Sequence, residues 1–145
     1  MMALLTPGDP AHDKARRLLT SELIAWFTTV AADGTPHAVP VWFLWHDEAV
    51  WVLTRHDSVK ARHVKHGSRA LVHLNTQGRF GADVVVLTGS AEILEQSAAE
   101  WITPVRDTWE AKYAEGIEDF GMPADTILEE FSAVIRMQPE KLLTW

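Results

Sequence analysis

The sequence predicts a mainly β fold with helices (α+β), in which short antiparallel strands wrap into a small barrel. Three observations carry that expectation. Runs rich in β-branched and aromatic residues recur along the chain, separated by turns bearing Gly, Asp or Asn. Helical periodicity is confined to the start, the middle and a stretch near the end, so strands and helices do not alternate as in a doubly wound sheet. Neither a GxGxxG nor a Walker sequence is present, which removes the main support for a nucleotide-binding α/β fold.

At 145 residues the chain has room for one ordinary domain, and residues 1–145 are read as that domain. Its apolar fraction of 47% and charged fraction of 23% are those of a globular protein and exclude disorder, collagen and coiled coil. There is no cysteine, so disulfides, a thiolate nucleophile and cysteine-ligated zinc or iron–sulfur clusters are excluded. The opening MMALLTPGDP reaches proline and acid too soon for a secretory leader, and no apolar run nears the roughly 18 residues of a membrane span. The expectation is a cytoplasmic protein with no membrane partner.

Pro10 to Glu22 is predicted as an amphipathic helix, with Ala11, Ala15, Leu18 and Leu19 on one face. Leu23 to Ala31 reads as a strand, Asp33-Gly34 as the hairpin turn after it, and His37 to Trp45 as the return strand. That return run, HAVPVWFLW, is apolar on both faces, which predicts a central position. His46-Asp47-Glu48 turns the chain into a third strand, Ala49 to Thr54, and the three are expected to form a meander. Ser58 to His66 is a short helix, capped by Asp57 or Ser58 and closed by Gly67. Strand character returns over Arg69 to Asn75. After a polar loop, Thr76 to Asp83, it returns again over Val84 to Leu94, where Gly89 marks a bulge or bend. Ser97 to about Ala114 is helical in two pieces, because Pro104 costs ~3 kcal/mol inside a helix and is tolerated in a first turn. A helix over Pro123 to Glu130 and a last strand over Phe131 to Met137 bring the total to about six strands. Pro139 and KLLTW form the tail.

Lys and Arg number 13 against 20 Asp and Glu, a formal net charge of −7, which argues against a nucleic-acid partner. Between residues 55 and 69 the balance reverses: Arg55, Lys60, Arg62, Lys65 and Arg69 face Asp57 alone. A compact basic island on an acidic chain suits a small anionic ligand, although a solvated helix face has the same composition. The segment LTRHDSVKARHVKHG makes the ligand reading specific. A strand ends at Thr54, and a helix begins after a turn containing Arg55 and Ser58. The hydroxyls of Thr54 and Ser58, the cations Lys60 and Arg62 and the first helical amides all suit phosphate oxygens. An ordinary capped surface helix is the alternative.

Pro40 lies inside an otherwise unbroken strand and has no N–H for a ladder, so one side of that strand is open or bulged near Val39 and Val41. Backbone groups freed there can bond the edge of a flat polar heterocycle, and Trp42 and Phe43 offer ring surfaces. An edge strand protected by proline is the plainer account. Taken with the anion site, it suggests a ligand with a ring at one end and a phosphate at the other. His56, His63 and His66 are close in sequence, but their neighbours are cationic and no carboxylate pair matches them, so no metal is expected. No serine sits in a nucleophile elbow, no carboxylate pair suits glycoside hydrolysis, and the seven tryptophans are read mostly as core or interface. No catalytic residue is nominated.

In order, DGTPHAVPVWF, VWVLTRHDSVKARHVKHGSRALVHL and VVVLTGSAEI resemble the pyridoxamine 5′-phosphate oxidase-like flavin and deazaflavin oxidoreductases, with a weaker echo in VIRMQPEKLLTW. The resemblance spans Leu23 to Glu95. It implies an FMN-binding split β-barrel of about six antiparallel strands, Greek-key-like, in a homodimer with cofactor at the interface. It also implies that Val39, Pro40, Val41 and Trp42 lie beside the tricyclic ring. Thr54, Ser58 and Lys60 then hold the cofactor phosphate, with Leu53 beside them and Arg55 and Arg62 as helpers. Flavin-using oxidases of this kind often carry glutamine where this chain has Val84, and the basic residue common before the last tryptophan is missing, with Leu142 and Leu143 in that stretch. With the helical stretch ending in GMPADTILEEF, the chain looks most like the members that use the deazaflavin coenzyme F-420. The implied function is an oxidoreductase transferring a hydride between coenzyme F-420 and a small organic substrate. An FMN-dependent oxidase or reductase of the same fold, and a non-catalytic flavin- or deazaflavin-binding protein, are the alternatives.

Overall fold

Turn and cap chemistry divides the chain into its elements. A computed structural model describes residues 3–145. Met1 and Met2, which begin the stretch read as lacking a secretory leader, lie outside it. Helix α1 (Pro10–Ser21) starts at Asp9, whose carboxylate accepts from the amides of Ala11 and His12, with Pro10 at the first helical position. It buries Ala15 and Leu19. Strand β1 (Ala25–Val30) turns through Asp33 and Gly34, the latter at φ +89, into β2 (Pro36–Val41). Strands β3 (Leu44–His46) and β4 (Ala49–Thr54) are joined by Asp47 and Glu48, both at positive φ, in the two-residue turn whose twist matches a hairpin. Helix α2 (Val59–Lys65) is capped by Ser58 and closed by Gly67. Then come β5 (Ala70–Leu74), β6 (Val85–Ile93), α3 (Ala98–Ile102) and a 3-10 turn (Thr103–Val105) that accommodates Pro104. Helices α4 (Arg106–Phe120) and α5 (Ala124–Glu130) and strand β7 (Ala133–Thr144) complete the chain.

Among the described residues, seven strands form one curled antiparallel sheet in the order β2-β1-β5-β6-β7-β4-β3. With its helices this is a split barrel of the expected α+β class, though with seven strands in place of about six. The extra strand comes from the run His37 to Trp45, which is neither continuous nor central. It breaks at Trp42 and Phe43 into β2 and β3, which lie at opposite ends of the sheet order. No meander forms either: β1 pairs with β2 and β5, whereas β4 pairs with β3 and β7. The cause lies at the break. Pro40 has no N–H to offer a further strand, and the N–H of Phe43 is bound by the hydroxyl of Tyr113 from α4.

The last strand runs past Met137, through Pro139, to Thr144. A bulge makes this tolerable: Thr88 faces Lys141 but the next residue, Gly89, faces Pro139. Helix α4 likewise continues beyond Ala114 to Phe120 and stops at Gly121, which takes the left-handed conformation.

Alternation along the strands feeds two cores. Val50 and Val52 of β4 point into the barrel with Phe27, Val72, Leu87, Ile135 and Met137. Trp51, on the opposite face of β4, packs with Leu44, Ile102, Trp109, Tyr113 and Ile127, most of them from the cover of α3, α4 and α5. This cover explains why the run around Trp42 is apolar on both faces without being central in the sheet. Among the described residues, no helix is long and apolar enough to cross a membrane.

The bulge makes Gly89 hard to replace. A Cβ at this position would lie 1.9 Å from the carbonyl oxygen of Gln138, and relief requires opening the β6–β7 ladder. Gly89→Ala is expected to destabilise the protein by at least about 3 kcal/mol in urea unfolding. Gly34→Ala, which meets nothing within 4 Å, should cost only the backbone strain of about 1–2 kcal/mol. Equal effects of the two substitutions would contradict the close approach.

Candidate functional site

The outer face of β4 carries Trp51 and Leu53, and its last residue, Thr54, leads into the turn before α2. Helices α3, α4 and α5 do not close fully over this face. They leave a pocket of about 310 Å³, bounded by β4, by the break from Pro40 to Leu44 and by aromatic side chains of the helical cover. Trp51 and Thr54 are separated by about 10 Å of extended strand, so the pocket has two chemically different ends. At one, Trp51 stacks on Trp101 with ring centroids 4.7 Å apart. The other is the end of β4, where Thr54 leads into the turn before α2, the helix that contributes Lys60 to the lining.

Of the residues nominated from sequence, Pro40, Val41, Trp42, Leu53, Thr54 and Lys60 line this pocket together. The other four do not. Val39 packs towards the barrel core. Arg55 pairs with Glu130 at 2.9 Å and lies over the ring of Phe131, 5.1 Å from its centroid. Ser58 caps α2 by accepting from the amide of Ala61, and it accepts from the Thr54 hydroxyl at 3.0 Å. Arg62 is exposed on α2. Sequence reasoning missed Leu44, Trp51, Trp101, Trp109, Phe120, Ile127 and Phe131 as pocket residues. The one available signal, the spacing of Trp101 and Trp109, marks a packed helix face and does not show that a space remains beside it.

Lys60 dominates the polar end. It has no carboxylate partner among the described residues. Desolvation pulls its ammonium below the usual lysine range. An unpaired, half-buried cation beside a hydroxyl favours an incoming anion. The walls carry no carboxylate and no imidazole, so the pocket is equipped to enclose a flat ring system and neutralise an attached anion. Lys60 is the one titratable side chain among its lining residues. Two of the three histidines weighed as metal ligands are engaged elsewhere. His63 Nδ1 bonds the Thr29 hydroxyl at 2.8 Å, and His66 Nδ1 bonds the Arg62 carbonyl at 2.8 Å. Among the described residues, no cluster of three or more His, Asp or Glu stands ready for a metal ion.

The strand break is fixed from α4. The Tyr113 hydroxyl accepts from the N–H of Phe43 at 2.9 Å and donates to the carbonyl of Leu23 at 2.7 Å. Burial pushes its phenol above the ordinary range. Trp42 stacks on the Tyr113 ring at 4.6 Å, and Gly116 allows that approach, since a Cβ there would lie 2.9 Å from the indole. Lys112 donates to the carbonyl of Phe43 at 2.9 Å with its ammonium 4.0 Å from the Phe43 ring centroid. Burial lowers its pKa to about 8, with Glu22 opposing the shift.

The family profile described as pyridoxamine 5′-phosphate oxidase matches residues 11–145. No curated protein matches the chain. A solved structure of a conserved hypothetical protein from Mycobacterium tuberculosis is 19% identical over 100% of this chain and 88% of that one, with a TM-score of 0.74. An F-420 reductase is 19% identical over 88% and 94% of the two chains, with a TM-score of 0.64. A FAD-binding protein from Mesorhizobium loti is 18% identical over 89% of each, with a TM-score of 0.65. At these identities the likeness is one of fold.

Lys112 gives the strand break a pH signature. Between about pH 8 and 10.5 the unfolded chain keeps a proton that the native protein has released, so this group adds stability as pH rises across the window. Measured against Lys112→Met, the wild type is expected to gain unfolding free energy as pH is raised from about 8 towards 10.5. A difference that stays constant with pH would show that the ammonium is not desolvated in the native state.

Proposed function

The chain belongs to the pyridoxamine 5′-phosphate oxidase family, and from that premise we propose that it is an oxidoreductase transferring a hydride between the deazaflavin coenzyme F-420 and a small organic substrate. The observation that carries this reading is the polarity of the pocket. Its walls are apolar and aromatic, and its polar side chains, Thr54 and Lys60, both come from the segment that leads from the end of β4 into α2. That is the outline of a flat ring with a phosphate on its tail.

The residues present fit such a group. Val41 and Trp42 supply a wall for the ring, and the unpaired side of β2 leaves backbone groups for its polar edge. Lys60 supplies charge to the phosphate, and Ser58 fixes the Thr54 hydroxyl beside it. When bound, the cofactor supplies the hydride chemistry. The protein binds, orients and excludes water. Val84, where flavin-using oxidases of this kind often have glutamine, favours the deazaflavin. FMN is the second reading, supported by a FAD-binding protein of the same fold. The same proposal includes a homodimer with the site at its interface. Leu23, Val30, Leu143 and Trp145 are exposed apolar side chains, and the open edge of β2 carries part of the pocket.

Absorbance titration with each cofactor tests the reading, and tighter binding of the deazaflavin than of FMN is expected. Micromolar FMN binding without deazaflavin binding would reverse the order. Lys60→Ala should weaken cofactor binding about ten- to a hundredfold, because a charged hydrogen bond is worth about 1.5–3 kcal/mol. Its circular dichroism should stay native. Unchanged affinity in that folded variant would overturn the phosphate assignment. Light scattering is expected to give twice the chain mass of 16.3 kDa, and the monomer mass would remove the dimer from the proposal.

A further inference from the structure

Arg55 follows Thr54 directly, at the polar end of the pocket, yet its guanidinium is engaged away from the pocket. It pairs with Glu130, the last residue of α5, and covers the ring of Phe131, whose side chain is part of the pocket wall. Glu130 is badly placed for its own helix, because a carboxylate in the last turn meets the negative end of the backbone dipoles, and no basic residue of α5 offsets it. Arg55 offsets it instead. The pair is weak: the two side chains are 56% and 40% exposed, and exposed ion pairs are worth little. A phosphate group at Thr54 and Lys60 carries at least one full negative charge and therefore competes for the same guanidinium.

We propose that the Arg55–Glu130 ion pair is a charge latch on the anion end of the pocket, released when a bound phosphate takes Arg55 from Glu130. The inference rests on the cofactor reading only in treating that end as the phosphate site. In the free protein the latch ties the end of α5 to the turn after β4 and holds Arg55 over Phe131. On binding, the anion gains Arg55 as a partner, Glu130 returns to solvent, and the outer face of Phe131 is uncovered. Glu130 thus limits anion affinity by competing for Arg55. Removing a carboxylate from this ion pair should then improve binding.

The test is a double-mutant cycle read with inorganic phosphate by amide chemical shifts, in wild type, Glu130→Gln, Arg55→Gln and the double variant. Glu130→Gln is expected to bind phosphate about three- to tenfold more tightly than wild type. In the Arg55→Gln background the same change should give about twofold or less, because no guanidinium remains to be freed. No gain from Glu130→Gln, or an equal gain in both backgrounds, would overturn the latch, the second result reducing Glu130 to a distant repulsive charge. The two readings separate cleanly. If the phosphate cycle shows the coupling while neither deazaflavin nor FMN binds, the latch stands and the cofactor assignment falls. If a cofactor binds and the cycle is flat, the reverse holds.

Discussion

The placement of the pocket depends on the hydroxyl of Tyr113. It binds the backbone on both sides of the β1–β2 hairpin: the carbonyl of Leu23 before β1 and the N–H of Phe43 after β2. Phe43 is 2% exposed, so its N–H has no water to turn to, and an unpaired buried donor costs about 1–3 kcal/mol. Helix α4 leaves helical geometry at this very residue, with Tyr113 at φ −109 and ψ 18. The helix, the indole of Trp42 and the chain break are thereby fixed against one another. One wall of the pocket follows from that arrangement.

Strand β4 does two jobs through its period of two. Its inward residues join the barrel core, and its outward residues form the floor of the pocket. The floor is therefore as rigid as the barrel. The roof belongs to helices α3, α4 and α5, which line it largely with aromatic side chains. In walls this apolar, one cation without a carboxylate partner has an influence on ligand choice that it would lack on an open surface. The acidic excess behind the net charge of −7 lies outside residues 55–69.

Local chemistry was legible in the sequence; long-range pairing was not. Ser58 as a cap, Gly34 in a hairpin turn and Gly89 at a bulge each follow from conformational preferences of a few residues, and each stands where those preferences put it. The polar half of the pocket was readable for the same reason, since Thr54 and Lys60 lie within one strand–turn–helix segment. The split of His37 to Trp45 was not readable. It depends on Tyr113, seventy residues away in sequence, and nothing in HAVPVWFLW reveals that partner. The aromatic half of the pocket stayed hidden because Trp101 and Trp109 have the spacing of an ordinary packed helix and Phe131 reads as the start of the last strand. Arg55 was placed near the phosphate by its position in the segment, but its side chain is turned by Glu130, another distant residue.

The two edges of the sheet, β2 and β3, are also consecutive in the chain, joined only by Trp42 and Phe43. The barrel is thus closed by a covalent link where other barrels use a ladder of hydrogen bonds. Hairpins β1–β2 and β3–β4 involve only neighbouring residues and can form early, while the ring between them needs the distant pairings through β6 and β7. The seam between the hairpins can take its final shape only when that ring is complete and α4 has docked. Its amides are therefore expected to depend on both the ring and the docked helix for their protection. Ligand binding at the seam would then be felt as slower hydrogen exchange around Phe43, with the barrel interior little changed.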